Sequence, residues 1–236
     1  MPSRKTQALS AYDAGCLTQA PELPTPSKKQ RLSLSNILSQ RYESVLFTFR
    51  YLNPTSDTKF YYQGKEIHVY PFYNSKPGAA DIAIIKTTSC FIFNDYVQPV
   101  CIMGPGYNKQ SLFDLYATVV GFGLTENGTL SNVLKHTTVK IQSDATCLLS
   151  DIVYQKLLNE FNFCAGNGPN SNANPCNGDS GGGLVIEYDF GGSKHWVIQG
   201  ITSVAKSRPS TNQCDATQYV VYTAVTPYYQ WIMGHL

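Results

Sequence analysis

The most informative segment of the chain is a glycine-rich loop around one serine. Residues 175–185 read PCNGDSGGGLV, so Ser180 follows an aspartate and precedes three glycines. Glycine has no Cβ and lets the backbone turn sharply, which brings successive N–H groups toward one point. A serine hydroxyl at that point could attack a carbonyl carbon, and the N–H groups could stabilise the resulting oxyanion. Closing a hairpin is the alternative role of such a glycine cluster.

This loop and several other segments resemble the trypsin/chymotrypsin-type serine endopeptidases. Residues 81–86 (DIAIIK) resemble the strand that carries the family's catalytic aspartate, and residues 97–101 (VQPVC) resemble the crossover between its two barrels. Further similar stretches are residues 119–123, 163–166, 199–203, 221–223 and 231–232. The resemblance runs from about residue 42 to residue 232, and the long loops are most similar to those of secreted insect-type members.

The resemblance implies peptide-bond hydrolysis and a role for each matched residue. Ser180 would be the nucleophile, Asp81 would orient the catalytic base, and the N–H groups of Gly178 and Ser180 would form the oxyanion hole. Asp179 would pair with the ammonium group that activation cleavage releases. The partner is a polypeptide substrate or a protein, and no cofactor is implied.

The resemblance also predicts the primary specificity pocket. Asn174, six residues before Ser180, would lie at its floor, so no charge there would select arginine or lysine. The walls would be Ser203, Val204, Ala205 and Val220. These side chains suit a small or medium apolar group, as in elastase- or chymotrypsin-like members. The alternative is that no substrate is bound and the residues simply pack together.

The base that this chemistry needs is missing from its expected place. A serine nucleophile requires a group that removes the hydroxyl proton and returns it to the leaving amine. The family has a histidine directly before a cysteine upstream of the aspartate, and the stretch around Cys16 resembles that motif without its histidine. His68 is the first histidine of the chain, and His136, His195 and His235 follow. We expect all four to be structural or exposed.

The activation terminus is missing as well, since no Ile-Val-Gly-Gly-like start occurs in the sequence. We therefore expect water or backbone groups to satisfy the Asp179 carboxylate, as in a zymogen, and the oxyanion hole to be disordered. One hypothesis is a truncated or alternatively spliced serine endopeptidase that is practically inactive in this form. The other is a catalytically dead homologue that binds or regulates a protein. The intact loop around Ser180 favours the first hypothesis over the second, and it leaves a purely structural barrel without support.

Composition and charge exclude only a few classes of function. The chain has 236 residues and a net charge of +2, which favours neither nucleic acid nor an acidic substrate. No apolar run approaches the roughly 18 residues that a membrane-spanning helix needs. The four scattered histidines have no metal-ligand spacing, so no metal is predicted. The sequence does not indicate an oligomeric state.

Seven cysteines are typical of an oxidised extracellular protein. The resemblance implies the bridges Cys147–Cys164 and Cys176–Cys214, and it leaves Cys16, Cys90 and Cys101 open, with Cys90–Cys101 as one possible local bridge. The family is secreted, although residues 1–20 are not a secretory signal because they lack an apolar core. Asn127-Gly128-Thr129 is a glycosylation sequon, which has meaning only in the secretory pathway.

Short alternating apolar runs separated by turn residues predict an all-β fold. The resemblance specifies two six-stranded antiparallel Greek-key barrels, the first incomplete, with a short C-terminal helix starting at Thr226-Pro227. We expect a disordered arm over residues 1–41 and one protease domain over residues 42–236, divided into a first-barrel remnant (about 42–110) and a second barrel (about 111–236). The predicted strands are residues 44–51, 59–62, 66–70, 81–87, 116–122, 134–141, 183–190, 195–204 and 219–225.

Overall fold

Strands dominate the computed structural model, and its helices are short. It describes residues 8–9, 46–50, 59–73, 80–91, 93, 99–106, 108–125, 127–169, 171, 173–211 and 213–236, with side chains from residue 64 onward. The strands are β1 (Ala8–Leu9), β2 (Leu46–Arg50), β3 (Lys59–Val69), β4 (Ala83–Thr87), β5 (Cys101–Ile102), β6 (Tyr116–Gly121), β7 (Lys135–Lys140), β8 (Asn162–Ala165), β9 (Gly183–Phe190), β10 (Ser193–Ala205) and β11 (Val220–Ala224). The helices are α1 (Asp144–Ser150), α2 (Tyr154–Leu157) and α3 (Tyr229–Met233), with 3-10 turns at Lys109–Leu112 and Thr226–Tyr228.

The larger sheet curls on itself. Its strands follow the order β7-β6-β9-β10-β11-β8, and every neighbouring pair in this series is antiparallel. An antiparallel bridge between Ile141, just after β7, and Ala165, in β8, joins the two ends of the series. Strand β5 lies outside the series and pairs in parallel with β10. The all-β prediction is confirmed, and the fold is consistent with that of trypsin-like proteins.

The interior of this barrel is filled by apolar side chains from facing strands. Val119 of β6, Leu184 of β9 and Phe163 of β8 are all almost completely buried in one cluster. Tyr222 of β11 joins them, and its ring stacks on Phe163 with centroids 5.7 Å apart. Gly200 of β10 lets these rings approach the strand, since a Cβ there would lie only 2.6 Å from Phe163 Cζ. Burial of these side chains is the main force that holds the barrel together.

The smaller sheet has the order β1-β4-β3-β2 and differs from the prediction in two ways. The runs 59–62 and 66–70, predicted as two strands, form the single strand β3, with a register shift between Gly64 and Glu66. A bulge at this shift keeps the chain extended where the sequence pattern is interrupted. Strand β1 belongs to the arm expected to be disordered, and it pairs in parallel with β4. That pairing supplies partners to backbone groups that an open edge of β4 would leave unpaired.

A short C-terminal helix follows Thr226-Pro227, as predicted, and it packs against β4. The 3-10 turn that contains this proline leads directly into α3. Ile232 of α3 and Tyr228 pack in one buried cluster with Ile82 and Ile84, which flank or belong to β4. The same cluster contains Ile198 and Ile201 of β10. The chain segment at Asp81 is therefore attached to the larger sheet through a shared apolar core.

Replacing Gly200 with alanine should destabilise the fold. The new Cβ would lie 2.6 Å from Phe163 Cζ and 3.0 Å from Tyr222 Cβ, so the rings must shift. We expect a loss of about 1–3 kcal/mol in the free energy of unfolding, the usual cost of overpacking. Urea unfolding followed by circular dichroism measures the loss.

Gly234→Ala is the matched control for this substitution. A Cβ on Gly234 has its nearest neighbours at 3.5 and 3.6 Å, and the residue has a φ of −71°. Equal unfolding midpoints for the two alanine variants would contradict the close packing described for Gly200.

Candidate active site

Ser180 lies in the loop that enters β9, and this loop is bonded to β10. The Gly181 N–H donates to the Thr202 carbonyl at 2.9 Å, and the Thr202 N–H donates to the Gly182 carbonyl at 2.9 Å. Gly181 has a φ of +86°, a conformation that favours glycine. A Cβ on Gly182 would lie 2.9 Å from the Asp179 carbonyl oxygen, so a larger residue would not fit there. The glycines after Ser180 are thus required by the path of the loop.

Two disulfides reinforce the surroundings of this loop. Cys176–Cys214 ties the segment before Ser180 to the segment that precedes β11, and Cys147–Cys164 ties α1 to β8. These are the two pairs that the family resemblance implies. The bridges formed within the described ranges do not include Cys90–Cys101. Cys16 and the stretch around it lie outside the described residues.

The Asp81 carboxylate is held by a residue of the other sheet. Ser203 of β10 donates a hydrogen bond from Oγ to Asp81 Oδ2 at 2.8 Å, across 122 positions of sequence. The sequence analysis assigned Ser203 to the wall of the specificity pocket and did not predict this contact. A hydrogen bond from a hydroxyl group fixes the orientation of a carboxylate. No sequence pattern marked this contact, because Ser203 is one of several polar residues of β10.

His68 of β3 and His235, which follows α3, lie next to each other. The His68 imidazole is 3.2 Å from Glu66 Oε2, and its ring centroid is 4.9 Å from that of His235. The Nδ1 atom of His235 lies 2.7 Å from the Trp231 carbonyl oxygen. His68 thus contacts Glu66 on its own strand and His235, which follows α3.

The other two histidines lie on strands of the larger sheet. His136 is exposed on β7, and His195 is on β10 with its ring 5.8 Å from that of Phe190.

All four histidines of the sequence belong to the described part of the chain, and within it none forms a hydrogen bond with Ser180. The structure therefore brings together Asp81 and Ser203 but gives Ser180 no imidazole partner.

The Asp179 carboxylate is bound by backbone groups of two segments. Oδ1 accepts from the Gly123 N–H at 2.8 Å, and Oδ2 accepts from the Cys176 N–H at 2.9 Å. The carboxylate fits only because Gly121 and Gly123 have no Cβ, since a Cβ on Gly123 would lie 2.4 Å from it. Burial raises the pKa of this carboxyl above its ordinary value, and the two N–H groups oppose that shift only in part. A cavity of about 490 Å³ adjoins it.

Asn174, the predicted floor of the pocket, uses its amide within the protein. Nδ2 donates to the Ala216 carbonyl at 2.8 Å and to the Gln218 carbonyl at 3.1 Å, while Oδ1 accepts from the Asn167 N–H at 3.2 Å. The residue is buried. The amide therefore joins three segments of backbone around the predicted pocket.

Three of the predicted wall residues occupy the β10–β11 pairing. Ala205 faces Val220 across the two strands, and Val204 faces Val221. Val220 is almost completely buried, whereas Val204 and Ala205 are half-buried. No measured contact assigns these residues to a substrate.

The sequon lies at a tight, exposed turn. The Gly128 N–H donates to the Thr125 carbonyl at 2.8 Å, the Thr125 N–H donates to the Thr129 carbonyl at 2.9 Å, and Gly128 has a φ of +73°. Asn127 is exposed within this turn. Its amide is therefore accessible to a modifying enzyme.

Metal-binding and membrane-spanning features were searched within the described ranges only. There, no three histidine, cysteine, aspartate or glutamate residues lie close enough to hold a metal ion together. None of the helices in those ranges has the length and apolar character needed to cross a bilayer.

Comparison with known proteins agrees with this architecture. The family model for trypsin matches residues 34–232, and the chain belongs to the trypsin family. It is 32% identical over 171 residues to clotting factor C of Tachypleus tridentatus, which covers 71% of this chain and 16% of that protein. It is 29% identical over 171 residues to the Spaetzle-processing enzyme of Drosophila melanogaster, with 72% of this chain and 41% of that protein covered. An ovochymase of Halocynthia roretzi is 29% identical over 176 residues, covering 72% of this chain and 10% of that protein. The chain thus spans well under half the length of these relatives.

Asn174→Asp should destabilise the protein rather than create a site for basic side chains. A carboxylate oxygen would replace Nδ2 and face the Ala216 and Gln218 carbonyls without a donor, so a buried charge would keep only the bond from the Asn167 N–H. We expect a loss of about 2–3 kcal/mol in the free energy of unfolding at neutral pH. Unfolding curves in denaturant measure this loss.

Asn167→Asp is the control for this change. Asn167 is exposed and donates from Nδ2 to the Thr138 carbonyl at 2.8 Å, so its replacement leaves no buried charge. If Asn174→Asp and Asn167→Asp have the same free energy of unfolding, the amide network around Asn174 is not important for stability.

The stability contributed by Asp179 should increase as the pH falls. Its pKa is raised in the folded protein, mainly by burial, so the folded state binds this proton more tightly than the unfolded state does. The contribution is complete below the ordinary aspartate pKa and is lost as the pH rises through the folded value. Unfolding free energies of the wild type and Asp179→Asn, measured from pH 7 down to pH 4, should show the wild type gaining relative to the variant. If the difference in unfolding free energy between the wild type and Asp179→Asn stays constant or decreases as the pH falls, the predicted contribution of Asp179 is wrong.

Proposed function

We propose that this chain is a trypsin-family serine protease domain with Ser180 as its nucleophile, and that in this form it is practically inactive on peptides. The observation that carries the proposal is the absence, among the four histidines, of any that forms a hydrogen bond with Ser180. Asp81, in the matched position of the orienting aspartate, has the Ser203 hydroxyl 2.8 Å from its carboxylate.

The size of the expected loss follows from the role of the base. In serine proteases whose triad has been removed by mutation, kcat falls by about 10⁶, and about 10³–10⁴ over water remains from oxyanion and binding contacts. The Gly178 and Ser180 N–H groups are the proposed source of such residual stabilisation. Peptide hydrolysis should thus be several orders of magnitude slower than in intact family members.

The substrate class that we propose is polypeptide, in keeping with the family. The proposed pocket has Asn174 at its floor and Ser203, Val204, Ala205 and Val220 in its walls, and it suits an uncharged side chain of small or medium size.

We place the protease domain at residues 42–236, with the barrels divided near residue 110, and residues 1–41 as an arm. Asp179 is the proposed partner of an activation ammonium.

We propose an oxidising, extracellular environment for the folded domain. Two disulfides support it, because such bridges persist in oxidising compartments. The exposed Asn127 is the proposed glycosylation site, since its sequon lies in an accessible turn.

A second candidate is a dead homologue that binds or regulates another protein. The same lack of an imidazole at Ser180 supports it, because a binding role needs no base. Ser203 and the amide of Asn174 would then serve only to hold the two sheets and the loop together.

The proposal of inactivity is tested by labelling Ser180. The purified chain and its Ser180→Ala variant are treated with a fluorophosphonate probe, next to an intact trypsin as a positive control. We expect equal and negligible labelling of both chains, because no base removes the hydroxyl proton. Hydrolysis of peptide substrates should likewise not differ between the two.

Rapid labelling of the wild type that is lost in Ser180→Ala would overturn the proposed inactivity. It would mean that a group outside the four imidazoles acts as base.

A further inference from the structure

We propose that Asn177 is a positioning residue that holds the Gly178 N–H in the orientation of an oxyanion donor without an activation ammonium. The inference rests on the proposed role of the Ser180 loop. It differs from the expectation, drawn from sequence, that the oxyanion hole is disordered when no ammonium pairs with Asp179.

The residues before Ser180 form a turn that has two possible states. The Asp179 N–H donates to the Cys176 carbonyl at 3.0 Å, and Gly178, the third residue of this turn, has a φ of +96°. These features define a type II β-turn, whose third residue is usually glycine. A type I turn over the same four residues differs by a flip of the peptide between Asn177 and Gly178. The flip would turn the Gly178 N–H to the opposite side of the loop.

A hydrogen bond from another segment selects the observed state. The Leu124 N–H donates to the Asn177 carbonyl at 2.8 Å. In a trans peptide the C=O and N–H point in opposite directions, so the Gly178 N–H points away from Leu124. Within the described part of the chain, neither the Gly178 nor the Ser180 N–H has an acceptor. Both donors are therefore available to a ligand atom.

The side chain of Asn177 keeps its own backbone in reach of Leu124. Its Oδ1 accepts from the Cys214 N–H at 2.7 Å, and Cys214 is bonded to Cys176 through the disulfide. Asn177 is thus held by two segments, with its carbonyl bonded to Leu124 and its amide oxygen bonded to Cys214. Loss of the amide oxygen frees the Asn177 Cα to shift and weakens the bond from Leu124. One such bond changes a two-state ratio by about twofold to tenfold.

Asp179, the last residue of the turn, is also fixed without an ammonium. Both oxygens of the Asp179 carboxylate already accept backbone N–H groups, from Gly123 and Cys176. A Cβ on Gly178 would lie 3.1 Å from the Gly123 Cα, so the turn packs directly on that segment. The turn is therefore anchored on both sides of Gly178 by groups of the same barrel.

The test measures which way the 177–178 peptide points in solution. In a type II turn the Gly178 N–H is close to the Asn177 Cα–H, whereas in a type I turn it is close to the Asn177 N–H. Isotope-edited nuclear Overhauser spectra of the full chain separate the two. We expect the type II contact in the wild type, its loss or weakening in Asn177→Ala, and its retention in Asn177→Asp, whose carboxylate still accepts from Cys214.

Two other glycines that follow asparagine act as internal controls. Gly128 and Gly168 have φ values of +73° and +76°, and their signals should not change in any variant. A type I contact in the wild type, an unchanged type II contact in Asn177→Ala, or an Asn177→Asp spectrum like that of the alanine variant would each overturn the proposal. Should Asn177→Ala not fold, Asn177→Gln, which displaces the acceptor by one methylene, replaces it.

The measurement is independent of peptide hydrolysis. If the wild type labels rapidly at Ser180, the proposed inactivity fails, while the orientation of the Gly178 N–H still decides the role of Asn177. If labelling is negligible but the spectra show the type I orientation of the 177–178 peptide, only the proposed role of Asn177 is overturned.

Discussion

The partly buried Asp179 carboxylate is the contact on which the geometry of the Ser180 loop depends. A carboxylate taken out of water is costly unless donors surround it, and here Gly123 and Cys176 each supply a backbone N–H. Because the two donors come from different segments, the carboxylate joins the loop after β6 to the loop before β9. The glycines at 121 and 123 follow from this arrangement, since any Cβ there would occupy the space of the carboxylate.

The loop is thus organised by the closed barrel alone, separately from the groups that would make it catalytic. Its bonds to Thr202, Leu124 and Cys214 all lie within the larger sheet and its loops. The chemistry also needs an oriented imidazole, which the family places in the first barrel near Asp81. In this chain Asp81 is held by Ser203 across the two sheets. The shape of the Ser180 loop therefore follows from hydrogen bonds to backbone groups of the larger sheet and its loops, and among the described residues these bonds do not involve an imidazole.

Sequence predicted most of the second barrel and less of the first. Strands β6, β7, β9, β10 and β11 lie within two residues of their predicted bounds, since each alternates apolar and polar residues between clear turn signals. Strand β3 was predicted as two strands because Gln63 and Gly64 interrupt the pattern, whereas pairing with β4 carries the chain through the interruption. The short strands β5 and β8 were missed, since a few residues are too short for a periodic pattern and form only where a neighbour pairs with them. Strand β1 lies in the arm that was expected to be disordered because it is rich in serine, glutamine, proline and lysine.

The family and the two disulfide pairs could be predicted from sequence, because both depend on residue types at set spacings. The donors to the Asp179 carboxylate, the hydroxyl on Asp81 and the acceptor for the Cys214 N–H could not. Each of these contacts joins residues between 37 and 122 positions apart, or pairs a side chain with a backbone group that any residue possesses. Backbone donors leave no mark in the sequence, so only the tertiary structure shows which of them reach these side chains.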